Sequence, residues 1–311
     1  VRIEPPIVKP RALRPGDTLG IVSPASSLDP ERLDKGRAVI EARGYRTKLY
    51  TSTLKKDFYL AGTDEERAAD LMAAFEDAEA AAVICSRGGY GCARLLPLID
   101  LERIVAARKM FLGFSDITTL HVALNNMGLV TMHAPMPITL SYDRAAWVYD
   151  SFFRLLQGDP SPPDEAPRAE TVVPGVAEGR LTGGCMCLLS DSLATAHSLD
   201  ADGRLLIIED VDENPHRVDA MFTHFYNAGI LQRAAGVIVG EMTNTDEKQD
   251  PTIGGKPWRD IVHPILEKAG RPAVTGFPFG HMKTMLSVPL GVRARLDADA
   301  GRVSFLEQPC A

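Results

Sequence analysis

Three side chains with the makings of a nucleophilic centre are spread along this sequence, each at a break in an apolar pattern. Ser115 stands in Gly113-Phe114-Ser115-Asp116, after the apolar run 110–114 and before a stretch, 117–125, with helical apolar spacing. This is half of a G-x-S-x-G elbow, the strand-to-helix turn that exposes a hydroxyl beside helical N–H donors; Ile117 stands where the second glycine would be. Ser and Asp are also favoured helix N-caps, so the local pattern fits a cap as well as a nucleophile. A serine nucleophile needs a base in reach, and the base an orienting acid.

Seven histidines could supply the base: His121, His133, His197, His216, His224, His263 and His281. His121 and His224 fall within helical periods, and His133 precedes a proline-containing turn. His281 closes the glycine-punctuated loop 276–284 after a short strand signal, a setting that can present a side chain. The acid candidates lie in "IIEDVDENPHRVD", where Glu209, Asp210, Asp212 and Glu213 follow a buried strand pattern. The C-terminal ends of strands are where α/β folds collect functional groups. Glu209 is the first polar group off that strand. The residues thus allow a serine hydrolase in the chain order Ser, Glu, His. A metal set of Glu209, Glu213, His216 and His224 is conceivable, but its spacing matches no standard zinc motif. Cys185-Met186-Cys187 is too tight for the usual zinc pair or for a C-x-x-C redox motif.

The loop "SRGGYG" (86–91) follows another buried strand signal. Its glycines either serve only the turn or let the backbone approach a ligand, in which case a carboxylate or an oxyanion suits the loop. It is neither of the common nucleotide-binding fingerprints.

The elements that must position these groups alternate. Strand signals at 18–25, 80–86 and 110–114 interleave with helix signals at 29–44 and 116–128, which argues for a doubly wound, mostly parallel sheet in an N-terminal domain, 1–156. The stretch 157–179 holds five prolines and little periodicity, and reads as a linker. A C-terminal mixed α/β domain, 180–311, is expected beyond it. It should have helices at 183–197 and 214–229, strands at 204–210 and 234–242, and hairpin strands in 287–307. A cleft between two such domains is a preferred ligand site.

Bulk properties exclude several classes. The chain has 311 residues, 45% of them apolar, and a formal net charge of −7 with no basic block, so neither disorder nor nucleic-acid binding is expected. No apolar run is long enough to cross a bilayer, and the first residues show no secretory h-region. Five cysteines (Cys85, Cys92, Cys185, Cys187, Cys310) form no disulfide framework, so reduced thiols in a cytoplasmic protein are expected.

Taken in order, "GIVSPASSLDPERLDKGRAVIEARGY", "SRGGYGCARLLPLID", "GFSDITTLH", "HAPM", "LTGGCMCLL", "IIEDVDENPHRVDAMFTH" and "GFPFGH" resemble the LD-carboxypeptidases and their microcin-immunity relatives, over nearly the whole chain. The resemblance implies a cytoplasmic serine peptidase that removes terminal D-alanine from murein tetrapeptides during cell-wall recycling, without metal or organic cofactor. It implies Ser115 as nucleophile, His281 as general base and Glu209 as orienting acid, with Glu213 an alternative acid four residues on. Backbone N–H groups of Asp116 and of Gly88 or Gly89 would form the oxyanion hole, Tyr90 and Glu213 would bind substrate, and a homodimer is suggested. One departure is Cys185 where the family pattern expects asparagine, which bears on substrate preference. Two other expectations stay open: a microcin-immunity-type hydrolase of peptidyl or aminoacyl nucleotide analogues, and a non-catalytic module that holds a small anion.

Overall fold

The structure, a computed structural model, describes residues 5–250, 252 and 255–311. It divides into two compact units: Val1–Pro160 with Ser287–Gly291 and Gln308–Ala311, and Ser161–Leu286 with Val292–Glu307.

The first unit runs β1 (Thr18–Val22), α1 (Pro30–Glu41), β2 (Arg46–Leu49), α2 (Asp64–Glu76), β3 (Ala80–Cys85), α3 (Leu101–Ala107), β4 (Met110–Gly113), α4 (Thr118–Asn126), β5 (Thr131–His133), α5 (Pro137–Leu140) and α6 (Ala146–Leu156). Strands β1, β3 and β4 are almost wholly buried apolar runs, as expected of parallel strands covered on both faces. The edge strand β2 is polar and partly exposed, so apolar pattern gives it no signal. Asp29 caps α1 by accepting from the Glu31 N–H, with Pro30 in the first turn, and Thr63 and Glu66 form a capping box on α2. Gly36 of α1 is required because a Cβ there would lie inside the Pro137 backbone of α5.

The five parallel strands take the order β2-β1-β3-β4-β5. Right-handed crossovers therefore put α1 on one face and α2, α3 and α4 on the other. The order reverses between β1 and β3, and ligands of open α/β sheets bind at such a switch point, beyond the carboxyl ends of the strands. The loops after β1, β3 and β4 all leave from those ends.

The second unit contains β6 (Glu170–Val173), β7 (Val176–Cys185), α7 (Met186–Ser192), β8 (Leu205–Val211), α8 (Pro215–Asn227), α9 (Ile230–Arg233), β9 (Gly236–Thr243), α10 (Trp258–Ala269) and β10 (Ala273–Thr275). Strand β11 (Val288–Leu290) follows, and then β12 (Arg293–Asp297) and β13 (Arg302–Phe305). The second sheet has the order β13-β12-β7-β8-β9-β10-β6. Its centre, β7 to β10, is parallel, and β12, β13 and β6 add antiparallel strands at the margins.

The mixed α/β character and the β12–β13 hairpin agree with the sequence reading. Three boundaries differ. Residues 170–173 and 176–179, expected in a linker, are strand, because β-branched residues among the prolines and glycines find partners across the sheet. The helix expected from 183 begins at Met186, since β7 continues to Cys185. Val288–Leu290, expected in a C-terminal hairpin, pairs antiparallel with β5 of the first sheet.

Candidate active site

Ser115 begins a short 3-10 turn, Ser115–Ile117, between β4 and α4. Its φ is 66°, a left-handed conformation unusual for a side chain other than glycine and one that tends to persist at functional positions. The cap positions of the turn and of α4 are Phe114 and Ile117, so Ser115 stands inside the turn rather than at its cap. A left-handed residue at a strand-to-helix corner is also the backbone setting that a nucleophile elbow needs.

Gly88 lies against this corner. A Cβ built there would stand 2.7 Å from Ser115 Cβ, 2.9 Å from its Oγ and 3.3 Å from the Asp116 nitrogen. Gly89 has a φ of 114°, and a Cβ on it would run into Ser26. Ser26 Oγ in turn accepts from the Tyr90 N–H at 3.1 Å. Asp116, buried, accepts from the Cys92 N–H at 2.9 Å and so fastens the elbow to the glycine loop; burial raises its pKa. Arg67 of α2, fully buried, donates to the carbonyls of Gly91, at 3.2 Å, and of Pro24, and pairs with Asp64. The loops after β1 and β3 are therefore clamped together at the switch point. The Tyr90 ring is half exposed and meets Tyr59 edge-on, centroids 6.0 Å apart.

In the second unit, Glu209 is fully buried at the end of β8. A register shift against β9 falls between Ile208 and Asp210, and both Glu209 and Asp210 are buried there. Glu209 Oε2 accepts from His281 Nδ1 at 2.7 Å and from the His281 backbone N–H at 3.2 Å. A carboxylate only accepts, so the ring proton of neutral His281 sits on Nδ1 and Nε2 carries the lone pair. Burial by itself would lower the His281 pKa, but the Glu209 charge and hydrogen bond, with Asp210 and Asp212, leave it raised. Gly280 makes this contact possible: its φ is 98°, and a Cβ would fall 2.3 Å from Glu209 Oε2. Glu213 lies between β8 and α8, and the carboxylate that accepts from His281 is that of Glu209.

The other histidines go elsewhere. His121 is buried between Thr131 Oγ1 and the Gly113 carbonyl, each at 2.9 Å, and burial pushes it down to about 4. His133 is buried against the Phe114 ring. His216 and His224 are on exposed positions of α8, and His263 pairs with Thr275 at 3.1 Å. The imagined metal set from Glu209 to His224 is not gathered. Among the described residues the group that could hold a metal ion is Cys185, Cys187 and Asp210. Burial, and next the Glu209 charge, push Asp210 up to about 6.

Residues 19–134 match the LD-carboxypeptidase N-terminal domain and residues 178–296 the LD-carboxypeptidase C-terminal domain. A probable murein peptide carboxypeptidase of Bacillus subtilis is 37% identical over 93% of this chain and 91% of its own length. Among solved structures, the muramoyltetrapeptide carboxypeptidase of Oxalobacter formigenes superposes with a TM-score of 0.81 at 28% identity, covering 93% of this chain and 97% of that one. The complex of MccF, the microcin C7 self-immunity protein, with glutamyl sulfamoyl guanosine gives 0.87 at 23% identity, covering 98% and 100%, which shows a shared fold. The chain belongs to the LD-carboxypeptidase family.

The sequence reading missed Ser26, Arg67 and Gly280. Gly280 was legible as a glycine beside a candidate base. Nothing local marks Ser26 or Arg67, whose roles come from loops far away in the chain.

Proposed function

We propose that this protein is a serine carboxypeptidase that cleaves the L,D-peptide bond of murein tetrapeptides and releases terminal D-alanine, in the cytoplasm, on peptides recovered from the cell wall. The observation that carries the reading is the Glu209–His281 pair, which leaves Nε2 as a base of raised proton affinity. The left-handed Ser115 corner beside Gly88 supports it.

In the proposed reaction Ser115 Oγ attacks the carbonyl at the L-centre of the diamino acid, and His281 Nε2 takes its proton. The tetrahedral oxyanion accepts hydrogen bonds from the Asp116 N–H and from Gly88 or Gly89, each worth about 3–4 kcal/mol in comparable hydrolases. His281 returns the proton to the departing amine of D-alanine, and water, activated by the same imidazole, cleaves the acyl-serine. Glu209 fixes the tautomer and stabilises the imidazolium. Tyr90 and Glu213 are assigned to substrate binding.

The test is incubation of the chain with a murein tetrapeptide and measurement of D-alanine. Release by the native chain and none by a folded Ser115→Ala variant supports the proposal. Absence of release, alongside cleavage of an acyl-sulfamoyl adenylate, would replace it with the microcin-immunity type of activity. Retention of ligand binding and biological effect in Ser115→Ala would favour the anion-binding module.

A further inference from the structure

The Cys185-Met186-Cys187 sequence is too tight to be a standard zinc pair, yet β8 brings a third ligand to it. Cys185 ends β7 and pairs in register with Glu209, so the next residue on β8, Asp210, stands beside the first turn of α7. The two sulfurs are 3.5 Å apart, and Asp210 Oδ1 lies 3.4 Å from Cys185 Sγ and 3.8 Å from Cys187 Sγ. The carboxylate is fixed independently of the thiols: the Cys187 N–H donates to Oδ2 and the Val211 N–H to Oδ1, each at 2.8 Å. Cys185 and Asp210 are buried, while Cys187 is part exposed and gives access from solvent.

These three separations are close to those of one face of a tetrahedral thiolate site. Bonds of about 2.3 Å to sulfur and about 2.1 Å to oxygen, at tetrahedral angles, require S···S near 3.8 Å and S···O near 3.6 Å. Little movement is needed for a single ion to reach all three atoms. Carboxylate with two soft sulfurs suits a borderline-soft d10 dication and disfavours magnesium or calcium, which take oxygen sets.

We propose that Cys185, Cys187 and Asp210 form a binding site for a thiophilic d10 cation of the zinc class, distinct from the serine chemistry. Binding breaks two S–H bonds and forms two S–metal bonds, the two protons leaving to solvent; water completes the fourth position, and no electron is transferred. The Asp210 backbone is continuous with Glu209, so the bound ion sits one residue from the acid that holds His281.

The experiment is a cadmium titration of the reduced, chelator-treated full chain, read by the ultraviolet charge-transfer band of thiolate bound to cadmium. It needs no substrate, so its failure is separable from failure of the proposed peptidase activity. The expected result is a band saturating at one equivalent, reversed by zinc, retained in Cys310→Ser and lost in the Cys185→Ser/Cys187→Ser double variant. If the double variant does not fold, Cys187→Ser alone should give about half the band intensity and at least tenfold weaker cadmium affinity. A band that does not saturate at one equivalent, or that persists unchanged in the cysteine variants, overturns the site.

Discussion

Glu209→Gln removes one charge and almost no volume, which makes it the most direct probe of the proposed base. Glu209 is fully buried, and Oε2 takes both the Nδ1 and the backbone N–H of His281. A glutamine oxygen can still accept from Nδ1, but it no longer balances the positive charge that His281 gains when it takes the Ser115 proton. For opposite charges about 4 Å apart at an effective dielectric constant of about 20, that balance is worth about 4 kcal/mol. A barrier higher by that amount slows turnover about a thousandfold. If the amide turns its NH2 to Nδ1 instead, it selects the wrong tautomer and the loss is greater.

The pH profile gives a second readout. His281 acts as a base only when unprotonated, and its pKa is raised chiefly by Glu209 acting against burial. In the native chain kcat/KM should therefore fall as pH drops through a value above the ordinary histidine pKa. In Glu209→Gln the burial remains and the largest raising charge is gone, so the acid limb should move to lower pH. Measurement of D-alanine release across pH, with circular dichroism to confirm folding, checks both. Turnover within tenfold of native, or an unmoved acid limb, would refute the assignment of Glu209 as the partner of a catalytic His281.

Three further outcomes follow from the geometry. Ser115→Gly should abolish turnover yet raise unfolding stability by about 1 kcal/mol in urea titration, because glycine adopts the observed 66° φ without strain; a destabilised variant would contradict the strain. Gly88→Ala should cut kcat/KM by at least a hundredfold and slow labelling of Ser115 by a sulfonyl fluoride, since its Cβ would fall 2.9 Å from Oγ; unchanged labelling would show that the corner is more open. Excess EDTA should leave D-alanine release intact, because no proposed step uses a metal; loss of activity on chelation, restored by zinc, would make the reaction metal-dependent.

Much of the first unit was legible in the sequence because its central strands are buried on both faces and therefore read as unbroken apolar runs. The polar edge strand β2 carries no such signal, and pairing alone makes it a strand; β11 was legible as strand, but not its partner β5. The linker reading failed at β6 and β7 because prolines and glycines mark a loop only when no neighbouring strand supplies a ladder.

Residue types fixed the chemistry on offer: a serine at a strand-to-helix corner, an acid off a strand end, a histidine in a glycine loop. Sequence left Ser115 balanced between cap and nucleophile, and Glu209 beside Glu213. Backbone conformation bears on the first, since Ser115 lies inside the turn with a left-handed φ, and that φ is a property of the folded chain. A contact between residues seventy-two positions apart decided which acid meets His281, and Gly280 permits it. The sulfur–carboxylate cluster is the extreme case: its groups come from the end of β7, the first turn of α7 and the neighbouring parallel strand β8, and only sheet register brings Asp210 to the two cysteines. Spacing along a chain reports what local geometry can join, whereas groups on separate elements meet only where packing puts them.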